Sequence, residues 1–340
     1  MTNRKTKRTK KKSHKLGRKS YKSTRTFWTG SMPDVVFASI YLMTKHKNIC
    51  FPYNPSRALD YEDIMVMFSY KNESSVKKLM EKVVEKRVSQ YTNSNYYEYY
   101  EKNNNIDLLK NVSSQIRKEY KFSFPGGKTV FLKMLKSCKK RYIMLPLYFE
   151  WIDGAHANII LIDLEKRTAE RFEPYGKLPL FFFIVSDIFD NMMLTFLRKH
   201  LGGDMKYIKP LTFCPERSLQ TLNEDYGTEY YGDPDGFCAA WTTWFIDMRL
   251  ENPNMDRAKL ISKSLSRIKK EDLKRYIRRY AVVLDAHRIE MLKTLTRKNS
   301  NSKCKCDGKG SCSVTSISDI CFSHIYGKYL TKILAKLSQR

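Results

Sequence analysis

The spacing of apolar positions divides the chain into helical segments, a central run of strands, and further helices. Val76, Leu79, Met80, Val83, Val84 and Val88 recur at helical spacing behind Ser74 and Ser75, predicting a serine-capped helix over 74–90. Residues 34–70 carry mixed apolar runs that fit strand and helix equally. Residues 91–105, rich in Tyr and Asn, read as a surface loop, and 106–140 include another helix. The pattern then changes: Arg141–Trp151, Ala155–Leu164 and Thr168–Phe172 read as strands, the second rich in β-branched residues. Leu178–Leu201 has helical length and stops at Gly202-Gly203, and Lys206–Leu211 reads as one more strand. Phe237–Leu250 reads as a buried helix ending before Asn252-Pro253, and 255–298 as one or two basic helices. A Lys/Ser/Gly/Cys-rich loop at 299–315 precedes a short amphipathic helix. Strands in the middle with helices on both sides predict an α+β domain.

Composition supports a folded chain with one sizeable core: 340 residues, 42% hydrophobic and 13% aromatic. The formal charge of +28 is what changes the picture. Residues 1–26 hold twelve Lys and Arg and no acid, so about +16 remains on the rest of the chain. That tail lacks the apolar content to fold alone and suits a nucleic-acid arm or an import signal, or else a solvated basic tag. The basic remainder also favours polyanions. No apolar stretch follows the basic run as in a secretory signal. The longest apolar run, Leu178–Val185, ends at Ser186 and Asp187, short of the ~18 residues a membrane helix needs. The eight scattered cysteines read as free thiols of a reducing compartment rather than a disulfide framework. Cys304, Cys306, Cys312, Cys321 and His324 cluster near the end, but their spacing is not a standard paired zinc knuckle, so neither metal nor cofactor is expected.

Three positions carry candidate chemistry. In Asp233-Pro-Asp-Gly-Phe-Cys-Ala-Ala-Trp241 a turn delivers Cys238 onto the first turn of a helix. Unpaired N–H groups and the positive dipole end there favour thiolate and can hold an oxyanion, which makes Cys238 a candidate nucleophile. A cysteine nucleophile needs a base. Five of the six histidines stand in the tail or in charged or amphipathic helical contexts, whereas His156 heads the apolar strand His-Ala-Asn-Ile-Ile-Leu-Ile-Asp. The bland alternative is a strand-edge histidine with an ordinary hydrogen bond. A hairpin turn centred on Glu165 pairs 156 with 174, which sets Glu173 about one residue from His156, where a carboxylate orients an imidazole. By itself Glu173 is one more acid in a turn. The helix after Cys238, with Trp241, Trp244, Phe245 and Met248, reads as core packing that holds the nucleophile rigidly.

In this order and spacing, His156, Glu173 and Cys238 resemble the clan of cysteine proteases that contains the adenovirus protease and the SUMO-deconjugating proteases. The Phe-Glu-Pro-Tyr-Gly closing the strand Thr168–Phe172 is like the adenovirus branch. The His-Ala-Asn strand and the Gly-Phe-Cys-Ala-Ala-Trp helix are most like thiol proteases of giant DNA viruses. The resemblance covers roughly 140–255 and implies an adenovirus-protease-like fold, with a central mixed or antiparallel sheet flanked by helices. It implies a domain over 27–298, between the 1–26 tail and a 299–340 extension. By it His156 is the general base, Glu173 its orienting acid and Cys238 the nucleophile of peptide or isopeptide hydrolysis through a thioester. Substrates ending in Gly-Gly or Ala-Gly suit such a cleft. Two departures stand out. The Trp that often follows the histidine is Ala157 here, leaving Trp151 or Trp241 to fill its space. The Gln usual some six residues before the cysteine is replaced by Gly232 and Asp233, so Gln220 is the candidate oxyanion donor. The implied partners are protein substrates: virion precursors in one reading, ubiquitin- or SUMO-like conjugates in another, with DNA along the basic surfaces. A third reading is a basic DNA-binding virion protein with a vestigial triad. The expected location is the virion, and host cytoplasm or viral factory during assembly, with the nucleus as alternative.

Overall fold

The computed structural model describes residues 30, 32–53, 64–85, 106–151, 154–176, 180–215, 218–226, 237–298, 330 and 332–337. The region 34–70, undecided by periodicity, contains helix α1 (Met32–Lys45) and strands β1 (Ile49–Cys50) and β2 (Val66–Tyr70). The predicted helix 74–90 is α2 (Glu73–Glu85), and its cap is Asn72 rather than a serine, because Asn72 Oδ1 accepts the Ser75 N–H at 3.0 Å. Residues 106–140 hold two helices, α3 (Ile106–Glu119) and α4 (Lys128–Ser137), with strand β3 (Tyr120–Ser123) between them. Next come β4 (Tyr142–Trp151), β5 (Gly154–Asp163), β6 (Thr168–Phe172), α5 (Leu180–Leu201) and β7 (Lys206–Ile208). The last predicted strand is shorter than expected because Pro210 opens a 3-10 turn over Pro210–Thr212. Helices α6 (Leu219–Tyr226), α7 (Cys238–Glu251), α8 (Arg257–Arg267) and α9 (Leu273–Lys298) follow, and 332–337 is helical. The loops expected at 91–105 and 299–315, the basic tail and the cysteine cluster from Cys304 to Cys321 lie outside the described residues.

Among the described residues the strands form one mixed sheet in the order β3-β2-β4-β5-β6-β7, with short β1 parallel to the start of β4. Strands β4, β5 and β6 run antiparallel, while β2 and β7 lie parallel to β4 and β6. Both faces are covered. Ile159, Leu161 and Met144 point toward α1, α6, α7, α8 and α9, whereas Ile160, Ile162 and Leu147 point toward α2 to α5. This two-sided burial explains why β4 and β5 read as near-continuous apolar runs rather than alternating ones. The α+β class holds, with helices in a layer on either side of the sheet.

Two buried carboxylates fix α7 in place. Asp247 takes Lys45 Nζ at 2.8 Å and His46 Nε2 at 2.6 Å, tying α7 to α1. Glu170 of β6 takes Arg249 of α7 at 2.6 Å and also Arg257 of α8. One sequence expectation fails: Cys50 and Cys138, 88 residues apart, form a disulfide with Cα atoms 6.1 Å apart. Pairing of β1 with Tyr142–Ile143 brings Cys50 beside the end of α4, a proximity invisible to spacing. Cys214 and Cys238 are the free cysteines among the described residues.

Candidate active site

Helix α7 is apolar around most of its circumference, with Ala239 to Ile246 all buried, so it sits as a fixed rod against β5. Its N-cap, Phe237, makes no side-chain capping bond, so the first-turn N–H groups are left for other acceptors. Half-buried Cys238 uses this arrangement: its sulfur receives backbone N–H bonds from Ala239 of the same turn and from Ala157 of β5. The sulfur is also hydrogen-bonded to the His156 ring. His156 Nε2 donates to Glu173 Oε1 at 2.5 Å, which leaves Nδ1 as the nitrogen facing the thiol. The three predicted residues thus meet in one chain of contacts.

The hairpin register accounts for the His–Glu contact and corrects the expected one. Asp163 pairs with Thr168 and Ile159 with Phe172, so the turn is centred half a residue later than Glu165. Continued one step, that register sets Glu173 opposite Asn158 rather than near-opposite His156. Because strand side chains alternate, 156, 158 and 173 then share one face, and Glu173 reaches His156 along the diagonal. The same parity brings Trp151 of β4 diagonally beside His156, since Phe149 pairs with His156. Trp151 stacks on the His156 ring with centroids 4.8 Å apart, and on Phe182 at 4.5 Å. Trp151 thus packs on the imidazole and not in the place of a side chain at 157, which faces the other side of the sheet, and Trp241 is wholly buried against Trp244 and Tyr276.

The electrostatics follow from burial and pairing. His156 and Glu173 are each 2% exposed. Burial pushes the imidazole down, but the Glu173 charge, then the hydrogen bonds to Cys238 and Glu173, outweigh it and bring His156 up to about 9. Burial pushes the Cys238 thiol up, and the hydrogen bond and charge of His156, with the two backbone N–H groups, bring it below its ordinary value. Glu173, also opposed by burial, is held below the usual carboxylate range by His156 first and by Arg171 and the Tyr175 N–H after it. The directions are those of a thiolate–imidazolium pair.

Sequence reasoning missed the shell behind the acid. Asn158 Nδ2 donates to Glu173 Oε2 at 3.0 Å, and Arg171 Nη1 donates to Asn158 Oδ1 at 2.6 Å. Arg171, 1% exposed, spans Asp190 of α5 at 2.7 and 3.0 Å and also reaches Ser186. The available signal was parity: polar residues at 156 and 158, and at 171 and 173, mark one face of otherwise apolar strands. The remaining histidines in the described residues do other work; His46 braces Asp247, and His287 and His200 pack on Tyr41 and Phe196.

Gln220 is buried in the first turn of α6, and its backbone N–H donates to Pro174 O at 2.9 Å, which sets it beside the turn that carries Glu173. Gly176 closes that turn with φ at 82°, and any Cβ there would stand 2.3 Å from Pro215 O. Only glycine allows this close approach of the acid-bearing turn to the α6 entrance. Gly232 and Asp233 lie outside the described residues.

No family model matches the chain. A stretch of 146 residues is 31% identical to an ankyrin repeat protein of Acanthamoeba polyphaga mimivirus, covering 40% of this chain and 19% of that protein's length. Among solved structures the chain is similar to the Chlamydia trachomatis effector protein ChlaDUB1, with TM-score 0.38, 10% identity, and coverage of 79% of this chain and 86% of that one. It is similar at the same TM-score of 0.38 and 10% identity to the Chlamydia trachomatis effector protein Cdu1 bound to ubiquitin, covering 79% and 96% of the two chains. The Chlamydia abortus effector protein ChlaDUB follows at 0.32 and 11% identity, covering 85% and 100%.

Proposed function

We propose that the chain is a cysteine hydrolase that cleaves peptide or isopeptide bonds through a thioester. One observation carries the reading: His156 is held between the Glu173 carboxylate and the Cys238 thiol, with that thiol on an uncapped helix start. In the reaction the Cys238 thiolate attacks the scissile carbonyl, and the imidazolium passes its proton to the leaving amine. Neutral His156 then draws a proton from water, which attacks the thioester, releases the acid product and returns the thiol. N–H groups at the α7 start suit the developing oxyanion, and Gln220 is proposed as a further donor.

Within this class a ubiquitin-like conjugate is the substrate to test first and a virion precursor second; the ubiquitin-bound neighbour only orders the two tests. A ubiquitin probe with a C-terminal electrophile distinguishes them. Covalent labelling of Cys238, absent in His156→Ala, supports isopeptide hydrolysis. Cleavage of viral precursors without labelling supports maturation. Failure of both, with Cys238 inert to iodoacetamide near neutral pH, rejects hydrolysis and leaves the vestigial reading. Polyanion binding by the +28 chain is compatible with either activity and is proposed to tether it to packaged DNA in the virion.

A further inference from the structure

We propose that Asn158 is a positioning residue that insulates the triad's acid from Arg171, an inference that rests on the hydrolase reading above. Arg171 Nη1 lies 3.6 Å from Glu173 Oε2, close enough to compete with His156 for the carboxylate. Asn158 stands between them and answers each with the right half of its amide. Its Oδ1 accepts from the guanidinium at 2.6 Å, and its Nδ2 donates to Glu173 at 3.0 Å. Glu173 Oε1 thereby stays on His156 Nε2 and on the Tyr175 N–H. The guanidinium is kept away from Glu173 at its other end by the paired contact with Asp190 of α5, which also accepts from Tyr207 of β7 at 2.8 Å. Further titratable neighbours are Tyr175, whose ring packs on the imidazole at 4.6 Å, and the half-buried Cys214, whose sulfur receives the Glu173 N–H and whose thiol desolvation pushes up to about 12, so it stays neutral.

The three groups in question are nearly sealed from water: Asn158 and Arg171 are each 1% exposed and Glu173 is 2% exposed. In such a place a direct Arg–carboxylate pair is strong and geometrically favoured. Without the amide, Glu173 Oε2 closes the short remaining gap to Arg171 and swings off the imidazole. Burial then governs His156, and the thiolate loses its counter-charge.

The test reads thiolate character without a substrate. Iodoacetamide alkylation of Cys238 is followed by mass spectrometry of its own peptide from pH 5 to 10, in wild type, Asn158→Ala and Asn158→Asp, with melting temperatures measured alongside. The alanine variant is expected to lose about tenfold in rate at pH 6, one unit of displaced titration. With the ubiquitin substrate kcat falls and KM stays. The aspartate variant is expected to stay within about threefold of wild type, because two carboxyls in contact share a proton, and a protonated one copies the amide's acceptor and donor. A merely structural role predicts that both variants fail alike. An alanine variant as reactive as wild type at pH 6, or an aspartate variant as slow as alanine, overturns the inference. A wild-type Cys238 with an ordinary thiol titration overturns the hydrolase reading instead.

Discussion

Replacing Glu173 with glutamine removes one charge and almost no volume, which makes it the sharpest probe of the site. In the wild type the carboxylate accepts from His156 at 2.5 Å, from Asn158 at 3.0 Å and from the Tyr175 N–H at 3.0 Å. Its charge is the leading influence that raises the buried imidazole to about 9 against desolvation. Glutamine removes that charge, so desolvation pulls His156 back down toward its ordinary value, with the hydrogen bond to Cys238 left to oppose it. The lost imidazolium stabilisation is on the order of 3 kcal/mol. Because the thiolate and imidazolium support each other, Cys238 returns toward an ordinary thiol titration. At pH 6 the thiolate fraction, and with it alkylation by iodoacetamide, drops by at most about 150-fold, the ratio to which ~3 kcal/mol corresponds. The assay is the pH dependence of Cys238 alkylation, read by mass spectrometry, together with kcat/KM on a ubiquitin-based substrate. The sign is definite: alkylation switches on as pH rises through the lowered Cys238 value and persists above it, whereas hydrolysis also falls as pH rises through the His156 value near 9, because the leaving amine then lacks its acid. A Glu173→Gln protein with an unchanged alkylation midpoint would refute the reasoning.

Cys238→Ala is expected to abolish hydrolysis while melting within a few degrees of wild type, since α7 is held by its other buried residues; retained turnover rejects the nucleophile. Wild-type kcat/KM should fall on its alkaline side near pH 9, and a limb near 6.5 would show that Glu173 does not charge the imidazole. Trp151→Ala removes the ring stacked on His156 and Phe182 and should cost about 3 kcal/mol in denaturant unfolding, with reduced kcat; an unperturbed kcat would remove Trp151 from the site. Glu170→Gln leaves the Arg249 and Arg257 guanidiniums uncompensated and should cost about 3 kcal/mol, read as a shift of the urea midpoint at constant slope.

Local pattern made much of the frame legible. Strand β6 was bounded correctly by the charged turn before it and Pro174 after it, and β4, β5, α5 and α7 to within about two residues, because those four are long, largely apolar runs ended by Gly, Pro or charge. The mixed segment 34–70 was not, since β1 is two residues long and exists only by pairing with β4. Turn arithmetic brought Glu173 close to His156 but erred by half a residue in its centre, and in a strand that error decides which face a side chain takes.

By itself the chain determined which chemistry was available: a cysteine on a helix start, a histidine heading a strand, an acid closing the next strand, and an overwhelmingly basic charge. Tertiary structure decided how those groups act. It swung Trp151 over His156, joined Cys50 to Cys138, and slid Asn158 between Glu173 and Arg171. The reason is physical. Helix starts and apolar strands are written in neighbouring residues, whereas protonation and orientation depend on the few ångströms between groups that only the paired strands and their covering helices bring together.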